Sequence, residues 1–169
     1  MKELRFEIKN IKTFEGEDGM GLVCDLFING TKCCHCIDSA YGGEMNIHNV
    51  SNSDKVKDLV KQMYEYCNNK PRTKVRDFEF PYTVESLIND LYNDKQIEKA
   101  KKQMLKKQEN AIIVGKKDDY FDYSFFNSRK PIKEIPTHIL QNIIDEQIKP
   151  KLEKGQIILN TNIPDININ

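Results

Sequence analysis

The chain has 169 residues, 31% of them charged, with 26 basic and 26 acidic side chains that cancel. That length suits one domain with a sizeable core, and the zero net charge excludes a global field that would draw in nucleic acid or an anionic membrane. The first seven residues, Met1-Lys2-Glu3-Leu4-Arg5-Phe6-Glu7, hold no apolar h-region, and no apolar run approaches the ~20 residues of a membrane span, so a soluble, cytoplasmic protein is expected. The five cysteines, an odd number, then read as reduced thiols and not as a disulfide framework.

Leu4, Phe6 and Ile8 alternate with Arg5, Glu7 and Lys9, which predicts an opening strand with one wet face and an irregularity at Asn10. Glu15 to Gly19 is a polar turn. The strongest local signal follows: Asn29-Gly30, both tolerant of positive φ, stands between two strand-like runs and predicts a type I′ hairpin over 22–37. A regular ladder counted outward from that turn pairs Ile28 with Thr31, Leu26 with Cys33, Cys24 with His35 and Leu22 with Ile37, and this is the face expected to enter the core. Met45 to Val50 is a fourth strand, entered through Gly42-Gly43.

Ser51 to Asp54 caps a helix over 54–68, whose residues Val56, Leu59, Val60, Met63, Tyr66 and Cys67 recur at helical spacing. A second helical region covers 83–109. Its stripe of Val84, Leu87, Ile88 and Leu91 falls out of phase with Ile97, Ala100 and Met104, which predicts either a break near Asn93-Asp94 or one long helix with different partners at its two ends. Ala111 to Val114 and Tyr120 to Phe126 form a second hairpin around a turn at 115–119, with Phe121, Tyr123 and Phe125 on one face. A third helix over 137–149 presents Ile139, Leu140, Ile143, Ile144 and Ile148 and is ended or kinked by Pro150. Gln156 to Leu159 is a last strand. The expected whole is a single α+β domain over 1–162, with a mainly antiparallel sheet built on the 22–37 hairpin, three to four helices packed against it, 83–109 free to project and a loose tail at 163–169.

Several constellations bear on chemistry. Cys33-Cys34-His35-Cys36 suggests zinc, but neighbouring strand residues point to opposite faces and cannot close one tetrahedron; the residual metal set is Cys24, Cys33 and His35, and buried thiols with no metal and no cofactor are the favoured reading. Ser39, Tyr41, Gly42 and Gly43, together with His48, make the best ligand loop, since two glycines let the backbone approach a ligand closely. A small phosphoester or nucleotide hydrolase would use Asp38 and His48, with a metal if one binds, although no nucleophile, base and orienter set is spaced to identify a triad. Asp118, Asp119 and Asp122 lack the glycine and terminal glutamate of a calcium loop and read as a solvated turn. Lys70, Arg72, Lys74 and Arg76 would form a one-sided basic edge if extended, and with the lysines of 95–107 and Tyr64, Tyr66 or Tyr92 they constitute the nucleic-acid alternative, set against an ordinary solvated face.

Phe27-Ile28-Asn29-Gly30-Thr31-Lys32, then Tyr41-Gly42-Gly43 and His48, then Ile158-Leu159-Asn160-Thr161-Asn162-Ile163, resemble an uncharacterised family of small proteins from phages and mobile elements of bacteria. That family joins an Ile-Asn-Gly-Lys-Lys hairpin to a Gly-x-Gly-Gly loop and a histidine and closes on Leu-Asn-Thr-Asn; here Ala40 stands in place of the first loop glycine and Thr31 in place of a lysine. The resemblance covers the two ends of the chain and implies an origin, not a reaction. With the neutral charge and the lack of a catalytic set, it leads to the expectation of a non-enzymatic binding protein in the host cytoplasm that inhibits a host (defence) factor through protein or small-ligand binding, with nucleic acid the less expected partner and the oligomeric state open.

Overall fold

Alternating strands, a glycine hairpin and capped helices build the N-terminal half as their sequences require. The computed structural model describes residues 4–163, and the fold is α+β with antiparallel strands throughout, arranged in three separate sheets. Where the sequence suggests one domain over 1–162, the chain divides into two compact units, Met1–Asp94 and Lys95–Asn169.

In the first unit, β1 (Phe6–Gly16), β2 (Gly19–Ile28), β3 (Thr31–Asp38) and β4 (Asn46–Asn49) form a sheet in that order. Asn29 and Gly30 both take positive φ, 50° and 78°, and the turn pairs Ile28 with Thr31 as expected. Beyond Phe27–Lys32 the register departs from the regular ladder: Leu26 pairs with Cys34, Asp25 with His35, Cys24 with Cys36 and Val23 with Ile37. Cys33 is the extra residue of a β-bulge. A one-residue slip exchanges the faces of a strand, so Cys34 and Cys36 enter the core beside Cys24 and Leu26, while His35 is carried to the other face. A second bulge lies between Lys9 and Lys12, at the expected Asn10 irregularity, where φ is 54°.

The core face of this sheet is covered by α1 (Asp54–Asn68), through Val56, Leu59, Val60, Met63 and Cys67, and by Val84, Leu87 and Ile88 of α2 (Val84–Lys107). The Ser53 hydroxyl accepts from the Val56 amide at the start of α1. Thr83 and Ser86 cap α2 reciprocally, Ser86 N donating to Thr83 Oγ1 at 3.1 Å and Thr83 N to Ser86 Oγ at 3.2 Å, a capping box with serine in the usual Glu position. Between the helices, β5 (Thr73–Val75) and β6 (Phe78–Phe80) make a small hairpin. Helix α2 does not break at Asn93-Asp94; it runs unbroken through the boundary between the units, and Met104 at its far end belongs to a core cluster of the second.

The second unit holds β7 (Ala111–Gly115) between β8 (Tyr123–Asn127) and β9 (Ile157–Ile158). Ile112 and Val114 pack with Ile132, Leu140, Ile144, Ile148, Ile158 and Ile163, while Ala111 and Ile113 pack with Met104. Burial on both faces is what a central strand with a continuous apolar run requires. Helix α3 (Thr137–Ile143) passes into a π turn at Ile144–Ile148 and a 3₁₀ turn at Lys149–Lys151, where Pro150 has no amide to continue the ladder. The tail expected to be loose lies outside the described residues from 164 onward. No helix among the described residues is long and apolar enough to cross a membrane.

Candidate functional site

On the face of the four-stranded sheet away from its core, cross-strand pairing sets Lys9, Asp25, His35 and His48 in a row across all four strands. Directly opposed residues share a face. The carboxylate of Asp25 is the fixed point: its side chain is only 6% exposed, yet Oδ2 accepts from Asn10 Nδ2 at 2.7 Å and Lys32 Nζ at 2.8 Å, and Oδ1 lies 2.8 Å from His35 Nδ1. Each bulge supplies one of these partners. The left-handed turn at Asn10 of β1 goes with its side-chain amide reaching Asp25 on β2, and the bulge at Cys33 brings His35, not Cys34, opposite Asp25. The hydrogen bond from Lys32 first, with those from Asn10 and His35, holds the Asp25 carboxyl far below the usual range against the opposing effect of burial. An ionised carboxylate only accepts, so His35 donates to it from Nδ1, and the imidazole is half-exposed. His48 beyond it is exposed.

The pairing separates residues that the sequence reading grouped. His35 lies on the face opposite Cys24, so Cys24, Cys33 and His35 do not converge, and among the described residues no group of three His, Cys, Asp or Glu side chains is placed to hold a metal. All five cysteines are free and buried; burial raises the Cys33 and Cys67 thiols and pushes Cys34 up to about 11, the reverse of what a nucleophile or metal ligand needs. Asp38 and His48 cannot act as a pair: alternation puts Asp38 on the core side of β3, where its Oδ1 accepts from the Ala40 amide at 2.9 Å. His48 stands opposite His35 in the ladder.

In that loop Ser39, Tyr41, Gly42 and Gly43 are exposed, and the backbone is tied to the β1–β2 turn by Asp18 N donating to Ala40 O at 2.9 Å. Gly42 has φ +71° and a Cβ there would meet Asp18 Oδ2 at 2.7 Å, which is a structural reason for the glycine. Lys70, Arg72, Lys74 and Arg76 are exposed but do not form one edge, because β5 ends before a turn at Arg76 with φ 55°. Tyr66 packs against Phe6 in a tilted ring contact, centroids 4.9 Å apart, and Tyr92 packs on the core, so only Tyr64 of the proposed stacking residues is exposed. Asp119 caps its own turn by accepting from the Phe121 and Asp122 amides.

The Leu159-Asn160-Thr161-Asn162 motif is a clasp. Asn160, buried, accepts from Ile113 N at 2.6 Å and donates to Ala111 O at 2.9 Å, while Asn162 donates to Gln108 O and Gln108 reaches back to Leu159 O and Thr161 N. Asp25, Asn10 and Lys32 are the members of the sheet-face constellation that sequence reasoning does not single out; the one available signal is an aspartate inside an otherwise apolar strand, a residue that demands partners. Comparison of the chain with protein-family models, with curated proteins and with solved structures finds no match.

Proposed function

We propose that this chain is a non-enzymatic binding protein, and that the outer face of its four-stranded sheet recognises an acidic region of a partner protein. The observation that carries the reading is the Asp25 constellation. Its carboxylate is consumed internally by Asn10, Lys32 and His35, Glu7 on the same face is taken up by Lys9 and Arg5, and beside these paired charges the face presents Lys12, the outer edge of His35, and His48. A base held by a carboxylate is half of a nucleophilic triad. The neighbours of His35 on its face, His48 across the ladder and Ile37 along the strand, include no hydroxyl or thiol to activate, so the arrangement favours rigid presentation over catalysis.

The resemblance to phage and mobile-element proteins makes a host protein the expected partner and its inhibition the expected outcome. The test is capture from host lysate by the wild-type chain and by the double variant Lys12→Ala, His48→Ala, both side chains being exposed. One stoichiometric partner held by the wild type and lost by a variant of unchanged melting temperature supports the reading. Equal capture by both, or turnover of a nucleotide or peptide library by the purified chain, overturns it.

A further inference from the structure

We propose that the second unit carries a binding groove for single-stranded nucleic acid, formed by the 95–107 half of α2 and the aromatic residues of the 120–125 segment. Two clefts of about 360 and 440 Å³ adjoin there and share Gln103, Lys107 and Tyr123. The first is completed by Tyr120, Phe121 and Lys99, the second by Phe125, Lys106 and Asn127. Phe121 is 64% exposed and Phe125 45%. Apolar rings held in the open beside a groove call for an occupant with flat faces.

The charge of the groove is strongly one-sided although the chain as a whole is neutral. From Lys95 to Lys107 there are six lysines and one acid, Glu98, which is already paired with Lys102 at 2.7 Å. The amine of Lys107 sits 4.1 Å from the Phe125 ring centre and 5.2 Å from that of Tyr123, and that of Lys101 lies 5.6 Å from Tyr120. Lysines resting on ring faces are held there by attraction to the ring and lie one side-chain swing away from the backbone phosphate of a bound strand. When a base takes the ring face, the displaced ammonium is beside the phosphate that accompanies the base. The lining amides of Gln96, Gln103, Asn110 and Asn127 offer both donors and acceptors to base edges.

This combination of phosphate-pairing cations, stacking rings and amphoteric amides is the chemistry of single-strand platforms. A duplex keeps its bases stacked on one another and has no free face for Phe121 or Phe125. An acidic peptide would use the lysines and leave the rings unused. The carboxylates Asp118, Asp119 and Asp122 sit in the turn ahead of β8, so the strand's phosphates are expected to follow α2 and avoid that turn. The groove is in a different unit from the sheet face, and the two readings stand or fall separately.

The experiment is fluorescence anisotropy of the full chain with labelled mixed-sequence oligonucleotides of about 12 residues, within the site sizes of such platforms, as single-stranded DNA, single-stranded RNA and duplex DNA. Tighter binding of either single strand than of the duplex is expected, with DNA against RNA reporting any use of the 2′-hydroxyl. Three phosphates neutralised by Lys99, Lys106 and Lys107 would give a slope of about −2 in log affinity against log salt. Phe125→Ala and Phe121→Ala should each weaken binding by roughly tenfold, the second with no change in melting temperature because its ring is exposed. Equal affinity for duplex and single strand, a flat salt dependence, Phe121→Ala binding like the wild type, or displacement by polyglutamate at equal charge would each overturn the proposal.

Discussion

Asp25 remains ionised inside a β-strand because its two oxygens receive three donors from three different places in the chain: Asn10 on β1, Lys32 near the hairpin turn and His35 on β3. Its folded pKa lies below the unfolded value, so the carboxylate contributes stability that is fully present above about pH 4, the ordinary aspartate range, and is lost as the pH falls from there. Asp25→Ala is expected to cost about 2 kcal/mol at neutral pH, the loss of hydrogen bonds to a charged group, part of which water at the half-exposed Lys32 and His35 replaces. Asp25→Asn keeps the shape and removes the charge. The stability gap between wild type and Asp25→Asn, measured by urea unfolding, should therefore shrink as the pH is lowered below about 4; a gap that stays constant under acid would refute the role assigned to this carboxylate.

At the scale of elements, the β2–β3 hairpin owes its first pairs to a turn and its remaining pairs to a bulge. Asn29-Gly30 fixes Ile28–Thr31 and Phe27–Lys32, after which Cys33 is excluded from the ladder. Adjacent Cys33 and Cys34 are both fully buried in the same core cluster, and sharing one core is what strict alternation does not give and a bulge permits. Deleting Cys33 leaves Leu26–Cys34, Asp25–His35 and Cys24–Cys36 as the pairs of a regular ladder counted from the same turn. The deletion variant is accordingly expected to fold with the Asp25–His35 hydrogen bond intact, losing about 1–2 kcal/mol for the missing buried side chain. The His35 imidazole N–H resonance in the NMR spectrum reports that bond directly, and its disappearance in a folded deletion variant would contradict the assigned register.

Considered whole, the two larger of the apolar clusters among the described residues are drawn from different stretches of the chain, one built on β1–β3, α1 and the start of α2, the other on β7, β9 and α3. Ile88 and Ile144, both fully buried, belong one to each. Ile88→Val and Ile144→Val should each cost about 1 kcal/mol, and because the two share no cluster the double variant should equal their sum within about 0.5 kcal/mol in denaturant unfolding. A larger deviation would mean that the two cores are energetically one.

Elements whose cause is local were determined by the sequence itself. The Asn29-Gly30 turn follows from residues that accept positive φ, α1 from a 3.6-residue stripe behind a serine cap, and the change of partners along α2 from the phase shift between Leu91 and Ile97. Even the irregularity at Asn10 was visible as a polar residue interrupting an alternation. Only the tertiary structure decided the bulge at Cys33, since Cys33 and Cys34 are the same residue and no local preference says which of them leaves the ladder. The register was settled instead by burying the flanking thiols and by giving Asp25 a donor on each side, a choice that depends on side chains 10 and 15 residues away. For the same reason Asn160, which the sequence shows only as a polar residue following the last strand, is in the fold the buried partner of Ala111 and Ile113, 49 and 47 residues distant: hydrogen bonds closed over such separations leave no periodic trace, because what selects them is the cost of an unpaired polar group in a core assembled from elsewhere in the chain.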